Sequence, residues 1–293
     1  MTIGYEVELR ELIEHPSEFR ILRKITPYHL QNAIQANLEG YNPNASDIIR
    51  FCIMDFETTG FKHGLDVAVE IGLIKLDFSP SQGKLRLVKT LRQLEDPGFP
   101  LPEVITQVTG LTDDMLEGQE FIDEEIADFL KDCQVMIAHN AAFDRKFFDI
   151  RFPELSNMRW GCSVKDVDWY GLGFESAKLE YLLIQHRHFY EGHNALNDCN
   201  AMVQLFLYRP QQLAQILEAA QQPSYKVKGF GIPFEQKDVA RESGFQWDPK
   251  EKVWHITCKP TELQVIKDFL EQLPGGNPSR NVIEPLAPEV RYA

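Results

Sequence analysis

Apolar and polar positions change their period several times along this chain. Up to residue 47 they recur at helical spacing, in EVELRELIEH and again in YHLQNAIQANL, with Gly40 placed to end the second helix. YNPNASD then reads as a turn-rich loop. From Ile48 the pattern becomes that of strands. IIRFCIMDF is a short apolar run suited to a buried strand, VAVEIGLIKLDF alternates, and KLRLVKTLRQL follows the turn SPSQGK as the second arm of a hairpin. A short helix is expected at EVITQV and an amphipathic one at FIDEEIADFLKD. VMIAH reads as a second buried strand, AAFDRKFFDIRF as a helix, and RWGCSVKDVDW as strand and loop. Two further helices are expected at SAKLEYLLIQH and HNALNDCNAMVQLFLY. Strands alternating with helices after an initial hairpin predict an α/β fold with a mixed sheet flanked by helices.

The domain organisation expected is a helical extension over 1–47, a main domain over 48–209 and a linker helix over 210–223. A small α+β module over 224–274 and a flexible tail over 275–293 complete it. The module restarts at SYKVKGFGIPF, with strand, helix (QKDVARES, ended at Gly244), a hairpin turning at DPKEK, and a last helix TELQVIKDFLEQL. The tail is rich in proline and aperiodic. In the module, Trp247 and Trp254 read as core, because so small a domain needs large apolar side chains. Its lysines and arginine, Lys237, Arg241, Lys250 and Lys252, interleave with aromatics in the manner of a nucleic-acid-binding surface.

Composition narrows the class. With 293 residues, 43% hydrophobic and 25% charged, the chain reads as an ordinary globular protein. No stretch approaches the apolar length that crosses a bilayer, so no membrane role is expected. Met1–Arg10 lacks the apolar core of a signal peptide, which makes a cytoplasmic location the expectation. The five scattered cysteines form no CxxC pair and argue against a disulfide framework or structural zinc; buried thiols are expected. A net charge of −14 argues against tight binding to long duplex. It leaves room for phosphate bound through divalent metals on clustered carboxylates, since the ions reverse the local field.

Candidate chemistry sits at three places. Asp55 and Glu57 lie two apart at the end of the strand FCIMDF and so share a face; paired hard carboxylates of this kind suit Mg²⁺ or Mn²⁺. Gly60 and the threonines Thr58 and Thr59 follow as a tight turn that can approach a phosphate. Asp144 falls on the first turn of the helix after VMIAH, with Asn140 as its N-cap, close to a strand's carboxyl end. His193 and Asp198 stand five apart, a spacing that puts the histidine in the loop and the acid on the helix; imidazole is the natural base near neutral pH. His186, His188 and His255 lack acids at ligand spacing and read as packing or surface groups, and Asp166 and Asp168 as loop caps.

In order, the motifs FDxETTG, HNAAFD and HNALND, with QVTGLTDDML and KLEYLL between them, resemble the DEDDh (DnaQ-like, RNase T-type) 3'→5' exonucleases, which include the proofreading subunits of bacterial replicative polymerases. The resemblance covers about residues 48–209 and falls in the histidine branch, since His193 stands five before Asp198. It implies an RNase H-like sheet and a cofactor of two divalent ions, Mg²⁺ or Mn²⁺, about 3.5–4 Å apart. Asp55, Glu57 and Asp198 would hold one ion, Asp55 bridging to the second beside Asp144. His193 would take the proton of the attacking water, and nucleoside 5'-monophosphates would be released. Thr58, Thr59, Gly60, Phe61 and Asn140 would meet the terminal nucleotide, Phe61 by stacking, with Leu111 as an apolar wedge at the last base step. The chain departs from many proofreading subunits at Thr109, where they carry histidine. The expected partners are single-stranded or frayed 3' ends, DNA ahead of RNA, with DNA replication or repair proteins as further candidates. The alternatives are a non-catalytic adaptor that binds nucleic-acid ends and a hydrolase of very short oligonucleotides.

Overall fold

The structure, a computed structural model, describes residues 13–293. Most of the EVELRELIEH helix expected near the start lies outside the described residues. In chain order the elements are α1 (Pro27–Asn37), β1 (Ile49–Thr58), β2 (Ala68–Ser79), β3 (Lys84–Leu94), α2 (Glu103–Thr109), α3 (Asp113–Leu116), α4 (Asp123–Leu130) and β4 (Val135–Ala138). They continue with α5 (Ala141–Arg151), β5 (Trp160–Cys162), α6 (Leu179–Gln185), α7 (Ala195–Tyr208) and α8 (Pro210–Ala219). Last come β6 (Ser224–Gly229), α9 (Lys237–Glu242), β7 (Gln246–Asp248), β8 (Val253–Cys258), α10 (Leu263–Gln272) and β9 (Val282–Leu286). The antiparallel and parallel pairings, with helices between, are those of the mixed α/β class expected. No helix among the described residues is long and apolar enough to cross a membrane.

The chain divides into two compact units, one of residues up to Ile122 with Asp168–Gln212, the other of Asp123–Val167 with Leu213–Ala293. In the first, β1, β2 and β3 form an antiparallel meander with β2 in the middle. All twelve residues of β2 are buried, as befits a strand covered on both faces. The buried Asp77 on β2 stands opposite Arg50 of β1 and Arg86 of β3 and is bound by both guanidinium groups, the Arg50 bonds at 2.7 and 3.1 Å. The outer strand β3 carries Lys84, Arg86, Lys89 and Arg92, charges that discourage edge-to-edge pairing.

One close approach positions the site. A Cβ on Gly72 would stand 2.5 Å from the backbone of Ala195, so only glycine lets the first turn of α7 settle directly on β2. Gly72 is the cross-strand partner of Asp55. The Cys199 thiol adds a bond to the Gly72 carbonyl at 3.3 Å.

In the second unit β4 and β5 pair in parallel. Phe148 of α5 packs edge-on against Trp160 of β5, with ring centroids 5.4 Å apart. The C-terminal module is an antiparallel sheet in the order β9-β6-β8-β7, with Val227, Ala240, Phe245, Trp254, Cys258 and Leu270 as its core. Of the two tryptophans expected inside, Trp254 is core, whereas Trp247 is 48% exposed and packs on Trp254 at 5.5 Å. The proline-rich stretch expected as a free tail instead contributes β9, which pairs with β6 from Val282 to Leu286. Pro285 is tolerated because β9 is an edge strand. All five cysteines are free thiols, four of them buried.

Candidate active site

Asp55 and Glu57 emerge from β1 on one face just before a register shift between Glu57 and Thr58. Asp198 lies on the first turn of α7. The approach at Gly72 brings that turn over β1's partner strand, and ligand oxygens of Asp55, Glu57 and Asp198 gather within 4.8 Å of one another. All three side chains are half-buried. Three hard oxygen donors at this separation fit a divalent cation such as Mg²⁺ or Mn²⁺, which relieves a repulsion the carboxylates would otherwise bear.

Asp198 is oriented by neutral donors. The Tyr190 hydroxyl donates to Oδ1 at 2.8 Å and the Asn194 peptide N–H to Oδ2 at 3.3 Å. Burial pushes the Asp198 carboxyl above the usual carboxylate range, and Tyr190, Asn194 and His193 draw it back in part. Burial and then the Asp198 charge hold the Tyr190 hydroxyl protonated far above its ordinary range. His193 is exposed and sits at φ +63°, a left-handed backbone that a non-glycine residue keeps only under constraint. That constraint begins with its neighbour. Asn194 caps α7 by accepting the Asn197 N–H at 3.1 Å, and its amide donates to Glu70 Oε1 at 2.8 Å. Glu70 is fully buried opposite Glu57 and receives Arg92 Nε at 2.6 Å on the same oxygen. Burial raises the Glu70 carboxyl and Arg92 opposes that shift. Sequence reading singled out neither Tyr190 nor Glu70, since nothing in their local spacing marks an acid's hydrogen-bond partner.

Asp144 belongs to the second unit, buried on the first turn of α5. Asn140 holds the N-cap position with an exposed side chain that makes no capping bond; its carbonyl accepts the Phe143 N–H at 2.7 Å. Beside it, His139 Nδ1 lies 2.7 Å from the buried Ser163 hydroxyl. In the loop after β1, the Thr58 hydroxyl donates to the Gly60 carbonyl at 2.7 Å. The Thr59 hydroxyl accepts the Val67 N–H at 3.1 Å. Both threonines are buried, and these hydroxyls serve the loop. Phe61 at the loop's tip is 80% exposed. Leu111, expected as a wedge, is 1% exposed and closed in a cluster with Val69, Leu101 and Leu116. It is a packing residue here, because the αL glycine Gly110 ends α2 and turns the chain inward after it.

The RNase T exonuclease family model matches residues 52–206, more than half of the 293. The chain belongs to this exonuclease family. The match makes it a nuclease and runs from the Asp55 strand through the Asp198 helix. A second model, a domain of unknown function (DUF5710), matches residues 230–270 of the module. The exonuclease is similar to the DNA polymerase III PolC-type of Thermotoga maritima, 28% identical over 172 residues, covering 54% of this chain and 12% of that one. It is also similar to the PolC-type polymerase of Clostridium perfringens, 31% identical over 133 residues, covering 45% of this chain and 9% of that one. The chain thus spans about a tenth of the length of these curated relatives. Exonuclease X, solved in complex with 5' overhanging duplex DNA, aligns with a TM-score of 0.44 and 22% identity over 57% of this chain and 98% of that one.

Proposed function

We propose that this exonuclease hydrolyses nucleic-acid 3' ends to nucleoside 5'-monophosphates, with Asp55, Glu57, Asp144 and Asp198 holding two divalent ions and His193 as general base. The observation that carries this reading is the gathering of the Asp55, Glu57 and Asp198 oxygens within 4.8 Å. Bound Mg²⁺ or Mn²⁺ would supply charge stabilisation to both the attacking and the leaving oxygens of an in-line displacement. The side chains do the rest. Tyr190 and the Asn194 N–H keep both Asp198 oxygens in place, so the acid meets an ion without reorganising. His193, exposed on its constrained loop, takes the proton of the attacking water. Phe61 offers an exposed ring on which the terminal base stacks. Its neighbours Thr58 to Gly60 shape the loop, and the Asn140 amide reaches the nucleotide from the N-cap of α5. The PolC-type relatives are DNA polymerases by name, which supports DNA ahead of RNA and a partner among replication or repair proteins.

The test uses 5'-labelled single-stranded DNA, matched RNA and a mismatched duplex, each with Mn²⁺, Mg²⁺ or chelator. A ladder shortening from the 3' end that chelation abolishes is the expected result. Retained binding without shortening would mean an end-binding adaptor, and turnover confined to dinucleotides a hydrolase of very short oligonucleotides.

A further inference from the structure

Arg145 follows Asp144 directly, just past the first turn of α5, and is buried. A buried guanidinium persists only where its N–H donors meet acceptors. Its Nε donates to Asp149 Oδ2 at 3.0 Å, and one terminal nitrogen to the Ser156 carbonyl at 3.0 Å. Two more bonds go to the last turn of the chain, the carbonyls of Glu289 and Arg291, each at 2.5 Å. That turn is itself pinned. The Arg291 side chain reaches Asp166 Oδ1 at 2.5 Å and the Ala219 carbonyl at the end of α8. The Tyr292 hydroxyl donates to the same Asp166 oxygen at 2.9 Å, and Arg159 pairs with Glu289 at 2.8 Å. Asp166 is wholly buried, its other oxygen accepting the Cys162 N–H at 2.8 Å at the end of β5. Tyr292 keeps a φ of +67°, which a non-glycine residue holds only where its contacts over-determine it.

We propose that Glu289–Tyr292 is a clasp that sets the orientation of α5, with Arg145 and Arg291 as positioning residues for Asp144. Asn140 gives the first turn of α5 no side-chain cap, and Arg145, next to Asp144, is bonded to the clasp through two carbonyls. Asp166 ties the clasp to β5. The inference rests on the reading of Asp144 as a metal ligand. Ligands displaced by loss of their supporting bonds typically lose about 10–100-fold in metal affinity.

The test compares the full chain with Arg291→Leu, Arg291→Lys and Tyr292→Phe. The readouts are amide exchange over residues 140–151, Mn²⁺ affinity by calorimetry, and kcat apart from KM on a single-stranded oligonucleotide. In Arg291→Leu we expect exchange at 140–147 to quicken and Mn²⁺ affinity to fall about 10-fold or more, with kcat reduced and KM held. Arg291→Lys, which keeps a cation beside Asp166, recovers part of each. Tyr292→Phe, which removes one hydroxyl, gives the same changes at smaller size if the leucine variant does not fold. Unchanged exchange in α5 across the variants overturns the clasp. Faster exchange with Mn²⁺ affinity and kcat unaltered leaves the clasp standing and overturns the reading of Asp144 instead.

Discussion

Asp198 and Asp166 are built almost alike and face opposite electrostatics. Each accepts a tyrosine hydroxyl, from Tyr190 at 2.8 Å and Tyr292 at 2.9 Å, and each accepts a backbone N–H. Asp166 then meets the Arg291 guanidinium, as Asp77 meets Arg50 and Arg86. Asp198 meets two more carboxylates, Asp55 and Glu57. One aspartate is neutralised by the chain and serves the fold. The other is gathered with like charges and suits a cation from solution. Mutating them should therefore move different observables.

The largest separation should come from the two aspartates themselves. Asp198→Asn should reduce nuclease turnover on the order of 10³-fold or more while leaving the urea midpoint level or raised, because it removes a repelling charge. Asp166→Asn should destabilise the fold by about 3–5 kcal/mol, since it leaves Arg291 buried without its counter-ion. Equal loss of stability in both would erase the distinction. His193→Ala should slow turnover by about 10²–10⁴-fold with the fold intact, and wild-type rates would mean the base is elsewhere. The tyrosines sharpen the contrast at smaller scale. Tyr292→Phe should lower stability by about 1–3 kcal/mol. Tyr190→Phe should act mainly on Mn²⁺ affinity, read by calorimetry. The smallest effect is in pH. Burial alone would raise the Asp77 carboxyl, but Arg50 and Arg86 outweigh it and hold the group below its ordinary 3.8. Its stabilising contribution is therefore complete above about pH 3.8 and is lost as pH falls through the lowered value. Acid unfolding of Asp77→Asn should be flatter in that window than wild type.

Much of this was legible in the sequence, for reasons of local pattern. β1 follows from its apolar run, β2 from alternation, β3 from the turn that precedes it, α7 from helical spacing, and the shared face of Asp55 and Glu57 from the two-residue repeat of a strand. The ordered motifs carried the family. What escaped were side-chain pairings that follow no helical or strand period, whether eight residues apart, as Tyr190 and Asp198 are, or far apart, as Arg145 and Glu289 are. The wedge role of Leu111 came from the family resemblance alone, and its burial depends on the turn at Gly110 and on packing with Leu101 and Leu116. β9 read as a tail because its prolines break periodicity, a penalty that an edge strand escapes.

Thermal unfolding with and without Mn²⁺ tests the central claim most directly, on wild type and on Asp198→Asn. A cation held by the folded Asp55, Glu57 and Asp198 stabilises that state by mass action. The wild-type midpoint should rise with Mn²⁺ concentration and the variant's should stay nearly level. A wild-type midpoint indifferent to Mn²⁺, or an equal rise in both proteins, would contradict the assignment of these three carboxylates as a metal site.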